Sequence, residues 1–143
     1  MKYTLRYKRG AATNEQTEHN PSPEIIDFVI GELLPGVDHY IVLSSDKPVK
    51  NCDCVQTIIK GGDDKPVFEF LVEALLTTGD SFICHRIYIN EIDEVKRLFR
   101  MFALGVIPDI CDWDDVTEDV KRSIEKHKKA QTVRGGKRRK LTS

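Results

Sequence analysis

The chain has 143 residues, 40% hydrophobic and 31% charged, and a net charge of −1. That length suffices for one domain with its own core, without staples. There is neither an apolar run near the roughly 18 residues that span a bilayer nor an apolar signal core in "MKYTLRYKRGAATNEQ", so the expectation is a soluble, cytoplasmic globular protein.

The elements follow from periodicity. "KYTLRYKR" alternates Tyr3, Leu5 and Tyr7 against polar residues, the period of a half-buried strand. "GAATNEQTEHN" is small and polar and reads as a loop. "NPSPEIIDFVIGELLPG" predicts a helix capped by Ser22, with Pro23 in its first turn. Ile25, Ile26, Val29, Ile30, Leu33 and Leu34 form its apolar stripe, and Pro35-Gly36 ends it. Four strands are expected next: "HYIVLSSD", "CDCVQTIIK", "PVFEFLVEALL" and "SFICHRIYI". Gly61-Gly62 and the "TTGD" turn (77–80) would close two hairpins among them. "NEIDEVKRLFRMFALG" predicts a second helix, capped by Asn90, with Ile92, Val95, Leu98, Phe99 and Phe102 inward and Gly105 at its end. A last helix is expected from about Thr117, with Val116, Val120 and Ile124 as its only apolar repeat, so that it leaves the body. The order predicts an α+β fold: an antiparallel sheet of about five strands with two amphipathic helices packed on it. Residues 1–116 would form the single domain, and 117–143 a C-terminal helix and disordered basic tail.

Catalytic motifs are missing from this pattern. There is no G-x-S-x-G, phosphate-binding GxxxxGK[ST], G-x-G-x-x-G or H-E-x-x-H. Cys84 and His85 are adjacent on a strand and point to opposite faces, so neither can activate the other. Zinc held by Cys52, Cys54, Cys111 and either Cys84 or His85 is the sharper reading of the cysteines; reduced, buried thiols are the plainer one. A strand would put Cys52 and Cys54 on one face. No cofactor or metal is expected, and the chain reads as a non-enzyme.

Charge is more informative. Residues 117–143 carry ten Lys and Arg against three acids, a net +7, while residues 1–116 carry a net −8. "DICDWDDVTED" surrounds Trp113, the only tryptophan, with six carboxylates. Asp114 and Asp115 suit the start of a helix without any partner. Asp109, Asp112 and Trp113 do not have that explanation. Trp113 is either an inward plug or an outward anchor rimmed by acids. Asp63 and Asp64 form a second acidic pair, with an exposed turn as the plain reading. Arg134, Lys137, Arg138, Arg139 and Lys140 admit an alternative function: a nucleic-acid-associated adaptor whose tail attracts phosphates without reading bases, since 117–143 hold no aromatic residue.

Two segments resemble a family of immunity proteins from bacterial polymorphic toxin systems, often paired with deaminase-like toxins. In "NPSPEIIDFVIGELLPGVDHYIVLSSD" an Asn-Pro-Ser step opens a helix that leads into an apolar strand. In "INEIDEVKRLFRMFALGVIPDICDWDDVTE" an amphipathic helix with a Phe-x-x-Phe step is followed by a Gly and a loop reaching a Trp. The resemblance implies a non-enzymatic inhibitor that binds one cognate protein toxin acting on nucleic acid. An acidic body suits such a target, because enzymes that handle nucleic acid carry basic clefts. The toxin-binding surface is then expected at Asp109, Asp112, Trp113, Asp114 and Asp115, with Asp63 and Asp64 as a second patch.

Overall fold

The computed structural model describes residues 2–10, 13–36, 39–60 and 69–126. Its strands are β1 (Tyr3–Arg9), β2 (Gln16–His19), β3 (His39–Val49), β4 (Cys52–Lys60), β5 (Glu69–Thr78), β6 (Ser81–Ile89) and β7 (Asp114–Asp115). Its helices are α1 (Pro23–Gly31), α2 (Ile92–Ala103) and α3 (117–126). The fold is α+β, and the strands form one antiparallel sheet in the order β2-β1-β3-β4-β5-β6-β7. The sheet therefore has seven strands, not about five. The two extra ones are its edges: β2 lies in the segment read as a loop, and β7 in the acidic stretch read as the approach to a helix. Both are short and polar, so neither shows the apolar alternation that marks a strand.

Local signals explain most of the rest. The Ser22 hydroxyl accepts the Ile25 N–H at 3.2 Å and caps α1. α1 ends at Gly31, earlier than expected, and Pro35 instead bridges Ile59 of β4. Ile26, Val29, Ile30 and Leu33 are buried, while Ile25 and Leu34 at the margins of the stripe are exposed. α2 is capped by Glu91 rather than Asn90, and no side chain bonds its first turn. It closes on Gly105 at φ +84°, with the Val106 N–H donating to the Met101 carbonyl and the Gly105 N–H to the Phe102 carbonyl. That crossed pair needs a left-handed residue, which glycine supplies at low cost. β3 and β4 are joined by Lys50 and Asn51, both at positive φ, the hairpin geometry that follows strand twist.

α1 and α2 cover one face of the sheet. Directly opposed residues share a face, so the register Leu5–Leu43–Val55–Ala74 is a single apolar row crossing four strands. Val95, Phe99 and Phe102 of α2 pack on this face with Ile26, Val29 and Ile30 of α1. Arg100 reaches back to both oxygens of Asp27, at 2.8 and 2.7 Å, and ties the helices together. A bulge between Cys52 and Cys54 breaks the expected sharing of a face by these two thiols. Cys52 turns into the core opposite Leu76, and Cys54 lies opposite Leu75 on the other side.

Candidate binding surfaces

The Trp113 region is built by α2, β6 and the connection between α2 and β7. Trp113 is half-buried and packs against the core cluster, and its N–H donates to the Ile110 carbonyl at 3.0 Å. One side of the ring remains as the wall of a groove of about 620 Å³. Ile87 and Ile89 of β6, Leu98 and Met101 of α2, and Pro108 supply much of the apolar lining; Glu94, Arg97 and Asp109 supply its charges. The tryptophan is both plug and wall. An apolar slot with few charged groups is what accepts a protruding side chain from another molecule.

The acids around Trp113 do not form one surface. Asp109 accepts the Cys111 N–H at 3.1 Å; the Cys111 thiol and then this N–H hold its carboxyl below the ordinary range. It still borders the groove. Asp112, the residue before Trp113, is exposed. Asp114 pairs with Arg86 of β6 and Asp115 with His85, so the two carboxylates leave the sheet on opposite faces. Asp115 is committed to structure: it accepts the Thr117 N–H at 2.9 Å and the Thr117 hydroxyl at 2.5 Å. The same hydroxyl accepts the Cys84 N–H at 2.9 Å, anchoring the start of α3 to β6. Asp63 and Asp64, and Arg134, Lys137, Arg138, Arg139 and Lys140, lie outside the described residues.

The face of the sheet away from α1 and α2 carries a second feature that sequence reading missed. Arg6, Val42, Gln56, Glu73, Arg86 and Asp114 stand in one cross-strand row over six strands. Glu73 is 9% exposed. Its Oε2 accepts Arg86 Nη2 at 2.9 Å and Nε at 3.2 Å, and its Oε1 accepts Gln56 Nε2 at 3.0 Å. A hollow of about 350 Å³ lies beside it, floored by Val42, Ile58 and Leu71 and edged by Arg6 and Tyr40. Each polar residue was visible as the off-phase member of an alternating strand, but only the register joins them.

Cys52, Cys54 and Cys84 fit packing roles, while Cys111 is exposed. Burial, and then the neighbouring Glu73 charge, pushes Cys84 up to about 12. Burial and Asp53 push Cys54 up to about 11, and burial likewise takes Cys52 to about 12. Such groups stay protonated near neutral pH and are poor nucleophiles. Among the described residues, no three His, Cys, Asp or Glu side chains converge as a metal site would require. His85 sits on the covered face with its Nδ1 buried and unpartnered among the described residues, across the sheet from the Cys84 side chain. No described helix is long and apolar enough to cross a membrane. No family model, curated protein or solved structure matches the chain.

Proposed function

We propose that this protein is a non-enzymatic, cytoplasmic immunity protein that binds and neutralises a cognate bacterial toxin acting on nucleic acid. The observation that carries the binding role is the half-buried Trp113 forming the wall of an apolar groove, with Asp109 and Glu94 at its border and exposed Asp112 alongside. An apolar side chain of the toxin enters the groove, and basic residues flanking it meet the carboxylates. The net −8 of residues 1–116 and the resemblance of residues 20–118 to immunity proteins support the toxin as the partner. Negative charge on the inhibitor speeds its encounter with a basic cleft before that cleft meets nucleic acid.

The test is co-purification with the product of the neighbouring reading frame, followed by titration of the complex. Asp112→Ala should slow association and lower its salt dependence, and Trp113→Ala should weaken binding by about 2 kcal/mol or more as a hot spot. Asp115 is left intact, because it anchors Thr117. Wild-type affinity in both variants would place the toxin elsewhere on the molecule.

A further inference from the structure

An acidic body carries a basic tail: net −8 over residues 1–116 against net +7 over residues 117–143. The tail's last stretch reads "RGGKRRKLTS". Lys137, Arg138, Arg139 and Lys140 stand directly before Leu141, the one apolar side chain after Val133. An apolar side chain beside a run of bases is the combination that suits the Trp113 groove. Leu98, Met101 and Pro108 give that groove apolar walls, and Glu94 and Asp109 outnumber Arg97 among its charges. Exposed Asp112 adds a further carboxylate alongside.

The chain path allows the two to meet. Asp115 holds Thr117, and Thr117 is bonded to the Cys84 N–H of β6, so α3 starts close to the groove. α3 covers 117–126, a length of about 15 Å. Leu141 follows fifteen residues after the last described position, 126, a reach of up to roughly 50 Å. That exceeds α3 about threefold and suffices to return to its start.

We propose that the chain's own tail occupies the Trp113 groove when no partner is bound. Leu141 enters between Trp113 and the α2 side chains Leu98 and Met101, and Lys137–Lys140 lie along Glu94, Asp109 and Asp112. This occupancy requires the groove to be a binding surface, as the proposed function does, but it requires no toxin. A tethered segment needs little affinity of its own. A linker of this length sets an effective concentration on the order of 1 mM, so a contact with Kd of about 0.1–1 mM in trans is about 50–90% formed in cis. A partner must displace it, and binds about two- to tenfold more weakly than to the bare groove.

Trp113 is the only tryptophan, so its emission reports on the groove without a label. At low salt the full chain should emit at shorter wavelength than a chain ending at Val133. The Leu141 methyl protons should be shifted upfield by the indole ring. Both signals should fade as salt shortens the Debye length from about 10 Å at 0.1 M to about 3 Å at 1 M, and Leu141→Asp should remove them. A synthetic peptide of residues 134–143 added to the shortened chain should restore the emission with a Kd of about 0.1–1 mM; the same peptide with Leu141→Asp should not. Equal emission from the full and shortened chains, with Leu141 methyl shifts at unstructured values, overturns the proposal. So does a peptide that leaves the emission unchanged, or a tail whose resonances respond to salt while Trp113 does not, which would put it on another acidic part of the body. A docked tail in a protein that binds no product of the neighbouring reading frame would overturn the immunity reading alone. An empty groove that still binds the toxin would overturn the tail contact alone.

Discussion

The two faces of the sheet share the same strands and differ in what those strands spend their side chains on. On the covered face, Leu5, Leu43, Val55 and Ala74 cross the sheet as a continuous apolar row under α1 and α2. One residue along each strand, the other face reads Arg6, Val42, Gln56 and Glu73. A slip of a single residue in any pairing would exchange these sets. The covered face holds most of the folding free energy, through area removed from water. The other face adds less of that and instead holds a hydrogen-bonded charge cluster, Glu73 with Arg86 and Gln56.

The sharpest way to break the comparison is on the covered side. Phe99 is fully buried beneath the sheet. Phe99→Ala should cost about 3–5 kcal/mol from lost burial and the remaining cavity, read as a lower denaturant midpoint at constant m value. A loss below about 1 kcal/mol would mean that α2 is not the lid of the core.

Across the sheet, Glu73→Ala should cost less. It leaves Arg86 without its carboxylate, but the Arg86 side chain is 24% exposed and can turn to water. Buried pairs lose about 3–5 kcal/mol on removal of one partner; solvent access here reduces that to about 1–2 kcal/mol. Replacing both residues with leucine should recover most of the loss. A Glu73 effect equal to that of Phe99 would erase the distinction between the faces.

The smallest effect belongs to the edge where the faces meet. The Thr117 hydroxyl, followed by its N–H, holds the Asp115 carboxyl below the ordinary aspartate range. A depressed carboxyl contributes stability that is present above its unfolded value, about 3.9, and lost as pH falls through the lower folded value. The protection factors of the Thr117 and Cys84 amides should therefore drop on acidification from pH 5 towards pH 3. Asp115→Asn should flatten that dependence. An unchanged acid profile in Asp115→Asn would show that the anchor of α3 is insensitive to this carboxyl.

Much of the covered face was legible because it is periodic. Tyr3, Leu5 and Tyr7 announced β1, Ser22 and Pro23 marked the start of α1, and Val95, Phe99 and Phe102 marked the buried side of α2. β2 escaped because Gln16–His19 is an edge strand with no apolar side to display. Asn90 was a reasonable cap by type, but the helix starts after Glu91; capping preference is weaker than the path the chain takes out of β6. The bulge at Cys52–Cys54 had no signature at all, and it changed the face of one thiol. The candidate site was legible in part. Trp113 and Asp109 do share a groove, but Asp114 and Asp115 are neighbours in sequence and sent apart by the pleat. The polar row was invisible, since reading it needs five registers at once.

β7 is only two residues long, and both are acids. A sheet edge exposes unpaired N–H and carbonyl groups, which invite a further strand from any passing chain. Here that invitation is brief and guarded by two negative charges, and the chain then leaves directly into α3. At the opposite edge, β2 offers four residues with no aliphatic side chain among them. The acidic pair that looks like a docking feature in the sequence thus also acts as a gatekeeper. It leaves the last strand too short and too charged to template a further one.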